Sequence, residues 1–532
     1  MRASNRLCLA LSLLLLAGCK GDPNTPEYWE KAFKNGRRAQ DRVRVIEDLR
    51  GSKRLTPAFA PLLNGQLQTE KKAEVRAELA KALGELGDKS SVQPLTDAID
   101  MGPADSDTHR MNREIAQALG RIPDPAAIPP LLRLLKSKDG YVQLEAIRAL
   151  GAQHAKEAVE PLVAMALDDS VEPLINRKAV QSLGEIGDAR AIPALVMMMF
   201  KQHKTRGDSF YGDSSFSLFQ IGAPARDAVL AALKGEDRAL LTWARQNNVE
   251  EAALLAKSAQ VAGDLRDRRA EAVLIQRLAY QTEDPDLQMM VRMTVADALG
   301  RMRAGSAVTA IAALTADERI PARERYAFAL ARIGGRDAIP ALEKAAAVGI
   351  WEARDRAISA LSLVGDEREL PALQRLAKEE AGRTAKDCQQ YDLQGCDQPE
   401  ALAQKHQAAI EVHLQRLAAA QECKGELGCW SKKLESKVPA VRERAALELG
   451  RAGKAEHAEL LAQRISDENV EARAAAIQAL DWLIEGDPAA ATAARKHLSA
   501  LDQQLDKDRS RTDYQGVNED LRRVSVKLHR KG

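Results

Sequence analysis

Cysteine and histidine are the side chains of this sequence best suited to nucleophilic chemistry or metal binding. Its eight histidines stand at positions 109, 154, 203, 406, 413, 457, 497 and 529, and none directly precedes a glutamate. The nearest approach to ligand spacing is His406 with His413, seven residues apart on a predicted polar helix, where a solvated pair is favoured over a metal site. The sequence also lacks a Gly-rich phosphate loop and a G-x-S-x-G nucleophile turn. We therefore predict no catalytic residue, no metal and no small-molecule cofactor.

The first nineteen residues have the pattern of an export signal. Arg2 and Arg6 give a positive start, residues 7–17 form an apolar run, and Gly18 is the last of two small residues before Cys19. The apolar run is shorter than the about 20 residues that a membrane-spanning helix needs. We predict cleavage between Gly18 and Cys19. An ordinary signal with a chance cysteine at its boundary is the alternative.

The tetrad Leu16-Ala17-Gly18-Cys19 resembles the lipobox of bacterial lipoproteins. That resemblance implies that the Cys19 thiol receives a diacylglyceryl group and that the new amino terminus is acylated, for example with palmitate. Two or three acyl chains hold a protein stably to a membrane. Since Lys20, and not aspartate, follows the cysteine, the enterobacterial sorting rule favours the outer membrane, on its periplasmic or surface face.

The composition argues against nucleic-acid binding and against a large aromatic core. Without Arg2 and Arg6 the chain has 76 basic and 76 acidic residues, so its formal net charge is zero and gives no electrostatic steering toward nucleic acid. Aromatic residues make up only 4% of the 532 positions. Such a composition, rich in Ala and Leu, is typical of thin layers of small helices.

A helical hairpin recurs along the chain. In "VRAELAKALGELGDKSSVQPLTDAI" (75–99), apolar residues share one helical face, Gly87 and Asp88 end the helix, and Pro94 fits the first turn of the next one. Most repeats are 31 to 37 residues apart, which indicates a solenoid. With Gly84 as reference, the equivalent positions are Arg50, Gly120, Gly151, Gly184, Phe219, Gly263, Gly300, Ala331, Ser362, Ala418, Gly450 and Asp481.

The repeated (V/A)R-x-x-A-x-x-A-L-G-x-I-G-D-x-x-A-I-P-x-L signature resembles short bacterial HEAT repeats, also called PBS-lyase-like repeats, over about residues 38–498. The resemblance implies an all-α fold, a right-handed α-solenoid superhelix of about 12–13 helical hairpins. In this family the second helix of each hairpin conventionally lines the concave face, where we expect a protein partner to bind. Deoxyhypusine hydroxylase has similar repeats, but its His-Glu dipeptides do not occur here. Phycobilin lyases also share the repeat, but an exported anchor is the wrong compartment for their reaction.

Two departures from the repeat could carry individual function. The segment "KQHKTRGDSFYGDSS" (201–215) places Phe210 and Tyr211 among loop-forming residues, and we predict that these rings are exposed anchors for a partner, whereas Phe200, Phe216 and Phe219 fit core positions. The second departure is a Cys-containing insertion over residues 378–401.

Besides the lipidated Cys19, four cysteines remain in the mature chain, and an even number in an exported protein favours two disulfides. Residues 399–421 should form one helix about 35 Å long, which keeps Cys396 from reaching Cys423. We predict local pairs, Cys388 with Cys396 and Cys423 with Cys429. Zinc binding is the competing use, but the spacings differ from those of the usual zinc knuckles.

The sequence thus predicts a signal peptide (1–18), a lipidated tether with a first helix (19–37), and two repeat arrays (38–377 and 402–498) around the insertion (378–401). A polar tail (499–532) caps the last repeat. The expected function is that of a membrane-tethered, non-catalytic protein-binding scaffold of the bacterial envelope. A structural or assembly factor for an envelope or surface machine is the alternative, and an enzyme of the lyase or hydroxylase type ranks third.

Overall fold

The structure is a computed structural model that describes residues 21–102, 105–317, 319–391, 393–508 and 515–530. Within these ranges the chain forms thirty α-helices, many of them preceded by a short 3₁₀ turn. The helices divide into two compact units, which meet in sequence within residues 229–245. The predicted all-α solenoid is confirmed.

The first unit contains the described residues up to Ala228, together with Ala239–Ala244. Its helices are α1 (Pro26–Asn35), α2 (Ala39–Gly51), α3 (Ala60–Thr69), α4 (Ala73–Leu86), α5 (Val92–Asp97), α6 (Ser106–Arg121), α7 (Ile128–Leu134), α8 (Gly140–Ala152), α9 (Val159–Leu167), α10 (Pro173–Ile186), α11 (Ile192–Met198) and α12 (Tyr211–Ile221). Two helices, α13 (Arg226–Lys234) and α14 (Arg238–Gln246), contribute residues to both units.

The second unit contains Val229–Arg238 and the described residues from Arg245 onward. Its helices are α15 (Glu251–Asp264), α16 (Glu271–Arg277), α17 (Pro285–Met302), α18 (Val308–Ala316), α19 (Arg323–Ile333), α20 (Ile339–Ala346), α21 (Trp351–Val364), α22 (Leu370–Gln390), α23 (Pro399–Cys423), α24 (Leu427–Lys433), α25 (Pro439–Ala452), α26 (Ala455–Ala462), α27 (Val470–Gly486), α28 (Pro488–Arg495), α29 (Leu498–Asp508) and α30 (Gln515–Arg530).

Each hairpin follows from the local chemistry of its turn. Helix α4 ends at Leu86 because Gly87 adopts a left-handed conformation with φ of 67°, which suits glycine. The Asp88 carboxylate then accepts a hydrogen bond of 2.8 Å from the Ser90 backbone N–H. Asp188 does the same for Arg190 in the hairpin of α10 and α11. The Gly-Asp pair of the repeat therefore ends one helix and caps the start of the next turn.

The thirteen reference positions all fall near the carboxyl ends of one set of helices, which we call the A helices: α2, α4, α6, α8, α10, α12, α15, α17, α19, α21, α23, α25 and α27. Glycine is common there because neighbouring A helices approach closely. A Cβ atom on Gly84 would lie 2.8 Å from the Ala118 Cα atom on α6, and one on Gly450 would lie 2.6 Å from the Ala479 Cα atom on α27. The glycines thus set the spacing of the A-helix layer.

The three large reference residues lie on the first A helix or on the last A helix of a unit. Arg50 lies on the first A helix and pairs with Glu78 and Glu85 of α4. Phe219 lies on the last A helix of the first unit and is buried there. Asp481 lies on the last A helix of the second unit, where it accepts from Lys527 at 2.7 Å.

Helix α30 lies in the segment that the sequence predicts as a cap. It packs against α27 and α29 and buries Leu521, Val524 and Leu528, which stand three and four residues apart on one helical face. The polar residues of the tail thus accompany an apolar stripe that covers part of the last A helix.

Candidate functional site

A groove of about 750 Å³ runs across five A helices of the second unit. Residues of α19, α21, α23, α25 and α27 line it, and its apolar surface includes Leu363, Leu447 and Val470. Asp520 of α30 lies at its border. The volume is within the range of about 300–1,000 Å³ that is typical of ligand pockets.

The A helices form the inner layer of this unit. Arg444 of α25 reaches back to α21, where its guanidinium donates to the carbonyl oxygens of Ser362 at 2.8 Å and Gly365 at 3.0 Å. Arg451 donates to the carbonyl of Ala331 on α19, also at 2.8 Å. These arginines satisfy carbonyl groups at helix ends, which lack partners within their own helix. Since A helices from non-adjacent hairpins meet here, the expectation that the second helix of each hairpin lines the inner face is wrong for this unit.

A polar network fixes the floor of the groove. The His413 Nε2–H donates to the Asp355 carboxylate over 3.1 Å, and Arg416 donates to His413 Nδ1 over 2.7 Å. Arg416 also donates to the Ser359 hydroxyl at 3.1 Å and pairs with Glu443. Burial, reinforced by the nearby Arg416 charge, lowers the pKa of His413. The imidazole is therefore held neutral, as its Nδ1 atom must remain an acceptor.

Two large apolar side chains are exposed in the groove. Phe328 of α19 is 46% exposed and Val412 of α23 is 42% exposed. The Arg332 guanidinium lies 4.6 Å from the centroid of the Phe328 ring and is itself paired with Asp297 at 2.6 Å. The ring is thus fixed on one side by a charged neighbour and presents apolar surface to the groove.

A second cavity, of about 840 Å³, adjoins the groove, since Asp355 and Arg356 line both. Helices α19, α21, α22 and α23 and the inserted segment surround it. Trp351 and His406 form an aromatic wall, with stacked rings 4.0 Å apart. Five carboxylates and only two cationic side chains line this cavity: Glu324, Glu352, Asp355, Asp387 and Asp397 against Arg356 and Lys405. We call it the acidic cavity.

Family comparison agrees with this architecture. The HEAT-repeat family matches residues 66–140, 104–175, 133–206, 309–388 and 430–509, which together are more than half of the chain. The chain belongs to the HEAT-repeat family. No curated protein sequence is significantly similar to it.

Several solved structures resemble this HEAT-repeat protein. Importin beta is 12% identical, with 96% of this chain and 73% of importin beta aligned at a TM-score of 0.47. Kap95 in its complex with Nup1 is 13% identical, with 96% and 70% aligned and a TM-score of 0.46. Human deoxyhypusine hydroxylase is 22% identical over 51% of this chain and 95% of the enzyme, with a TM-score of 0.22.

Both predicted disulfides are present in this HEAT-repeat protein. Cys388 pairs with Cys396 and Cys423 with Cys429, each with Cα atoms 5.3 Å apart. The helix that separates the two pairs, α23, is uninterrupted and two residues longer than predicted. The first disulfide holds the insertion beside the acidic cavity, because Cys388 itself lines that cavity together with Leu393 and Gly395.

The prediction that Phe210 is an exposed anchor is wrong. Its side chain is completely buried, and its carbonyl accepts from the Ser214 hydroxyl at 2.8 Å, one turn into α12. Tyr211 is the first residue of α12 and is half-buried. The Gly-Asp-Ser-Ser sequence that suggested a loop forms the first turns of that helix, because Phe210 and Leu218 bury apolar surface beneath it.

His406 and His413 are also placed differently from the prediction of a solvated pair. Both are buried, with 6% and 8% of their surface exposed. His406 shares a hydrogen bond of 2.9 Å with the Thr384 hydroxyl and stacks on Trp351.

Among the described residues, no three His, Cys, Asp or Glu side chains are grouped suitably for a metal ion. No helix in these ranges has the length and apolarity to cross a membrane. Gly18 and Cys19 lie outside the described residues.

Proposed function

We propose that this HEAT-repeat protein is a lipid-anchored, non-catalytic protein-binding scaffold of the bacterial envelope, and that the groove of the second unit is its binding surface. The export signal and the tetrad ending at Cys19 support the anchor. The groove supports the binding function, since rigid concave surfaces with exposed apolar side chains are typical of protein interaction sites.

One observation carries the binding proposal. The described residues expose six large apolar side chains, and two of them, Phe328 and Val412, lie in this one groove. Exposed apolar surface that is grouped in one groove is typical of a protein interaction site. The two residues lie on α19 and α23, the A helices that flank α21. A partner that contacts both side chains therefore binds across the groove.

The polar groups beneath the groove support a structural and not a catalytic role. Both ring nitrogens of His413 have fixed partners, and Arg416 bonds to a histidine, a carboxylate and two hydroxyl groups. A general base needs an accessible lone pair near its reaction. Arg416 donates to the only basic lone pair of this neutral imidazole, at Nδ1, so none is left to accept a proton from a substrate. The network therefore serves to position the helices.

Co-purification from cross-linked envelopes tests the binding function. Replacing Phe328 and Val412 together by serine should remove one or a few stoichiometric partners that the unmodified protein retains. The matched control replaces Tyr141 and Leu174, which are 65% and 50% exposed in the first unit, by serine. Equal partner recovery from both double variants would contradict the proposal, and a broad set of transient clients would favour an assembly factor.

Fatty-acid labelling tests the anchor. The Cys19→Ala variant should incorporate no labelled fatty acid and should remain an uncleaved precursor or leave the membrane fraction. Equal labelling of the variant and the parent would refute lipidation at Cys19. Lys20 suggests that the anchor is in the outer membrane. Separation of the two membranes on a density gradient tests this assignment, and the protein is expected in the outer-membrane fraction.

A further inference from the structure

The C-terminal helix α30 shows which kind of segment the inner layer of the second unit accepts. Leu521 is 1% exposed, and Val524 and Leu528 are completely buried. These residues recur at the spacing of one helical face, so α30 binds to the unit as an amphipathic helix does to a groove.

Basic residues fix this helix to carboxylates of the A helices. Arg523 donates to Asp264 at the end of α15 over 3.1 Å, and Lys527 lies 2.7 Å from Asp481 and 2.9 Å from Glu485 of α27. Arg523 and Asp264 are 259 residues apart in sequence. The inner layer therefore accepts a helix whose apolar stripe is flanked by arginine and lysine, and Arg301 of α17 also pairs with Asp520 of this helix at 3.4 Å.

The groove and the acidic cavity continue this surface beyond α30. Asp520 of α30 borders the groove, and Phe328 and Val412 supply its exposed apolar contacts. In the acidic cavity Asp387 is already paired with the buried Arg354 at 2.9 Å. Asp355 accepts a hydrogen bond of 3.1 Å from His413. Glu352 and Asp397 are exposed, as are Arg356 and Lys405, and five carboxylates against two cations leave the cavity with an excess of negative side chains.

We propose that the segment bound in this groove is a basic amphipathic helix of a partner protein, of the same chemical class as α30. This inference rests on the proposed function. Apolar side chains of the segment contact Phe328 and Val412, while a lysine or arginine enters the acidic cavity. An acidic segment would bring its charge against Glu352 and Asp397.

Fluorescence anisotropy with a labelled synthetic helix of leucine and lysine tests this assignment on the full mature chain. The comparison probe is the same helix with glutamate in place of lysine. We expect the basic probe to bind at least about tenfold more tightly, with an affinity that falls as salt is added. Equal affinity of the two probes, or no binding of the basic one, would overturn the proposal.

Charge-removing variants locate the binding. Glu352→Gln with Asp397→Asn should weaken the basic probe about tenfold and reduce its salt dependence, and both positions are exposed, so folding is not at risk. The control Glu157→Gln with Glu160→Gln removes two exposed charges of the first unit and should change the affinity less than about twofold. An equal loss of affinity for the basic probe in both double variants would refute binding at this cavity. If the probe fails while the Phe328 and Val412 double variant still loses partners in envelopes, the partner class is wrong but the scaffold function stands.

Discussion

Replacing Gly450 by alanine tests whether the close approach of A helices determines the use of glycine at the reference position. The added methyl carbon would lie 2.6 Å from the Cα and Cβ atoms of Ala479 and 3.0 Å from the Trp482 ring. Backbone atoms cannot move aside independently, so α25 and α27 must separate. Such overpacking costs about 1–3 kcal/mol, whereas alanine gains about 0.8 kcal/mol of helix propensity over glycine. We expect a net loss of about 1 kcal/mol.

Gly382 supplies the matched control, since it is an exposed glycine inside α22 with nothing within 4 Å of a Cβ atom. Gly382→Ala should stabilise the chain by about 0.8 kcal/mol, because only the propensity gain remains. Urea denaturation followed by tryptophan fluorescence measures both, and hydrogen exchange of α25 and α27 localises the effect, since long arrays can unfold in parts. If Gly450→Ala is as stabilising as Gly382→Ala, the steric explanation is refuted.

Three further predictions concern the core, the insertion and the histidine network. Phe210→Ala should cost about 3–5 kcal/mol in thermal or urea unfolding, whereas Tyr141→Ala should stay within about 0.5 kcal/mol; similar effects of both would show that Phe210 is not core. Replacing Cys388 and Cys396 by serine should remove about 2–3 kcal/mol through loop closure and speed hydrogen exchange around the insertion, and unchanged exchange would contradict that role. His413 has a lowered pKa in the fold, so its contribution to stability is present above about pH 6.5 and is lost as the pH falls below that value. His413→Gln should therefore flatten the fall in urea midpoint between about pH 7 and 5, and an unchanged slope would contradict burial of a neutral imidazole.

The hairpins and the disulfides could be predicted from sequence because their causes are local. Gly87 and Asp88 end one helix and cap the next turn within three residues, and the pattern recurs at nearly constant intervals. The pairing of Cys388 with Cys396 required only that residues 399–421 form a helix too long for a cross-pair. Such features depend on the chain's own geometry over a few turns.

The inner layer could not be predicted because contacts between distant hairpins determine it. The sequence around Arg444 suggests a solvated side chain on a helix. In the fold its guanidinium is buried and donates to the carbonyls of residues that lie 79 and 82 positions earlier in the chain. The local composition gave a wrong prediction at Phe210. The Gly, Asp and Ser residues that follow it favour a loop, whereas the apolar surface buried there favours a helix. The spacing of Phe210, Ser214 and Leu218 at four residues was the available signal for a helical face. Groove residues such as Phe328 lie at ordinary repeat positions, and only their exposure marks them.

The most direct test of the central claim is photo-crosslinking from the groove in intact envelopes. A photoreactive amino acid at Val412 should give a discrete cross-linked product with a protein, and the same group at Leu174, an exposed apolar position of the first unit, should not. The product from Val412 should disappear when Phe328 is changed to serine, because both side chains contact the same bound segment. Absence of a protein product from Val412, or the same product from Leu174, would contradict a scaffold that binds its partner in the groove of the second unit.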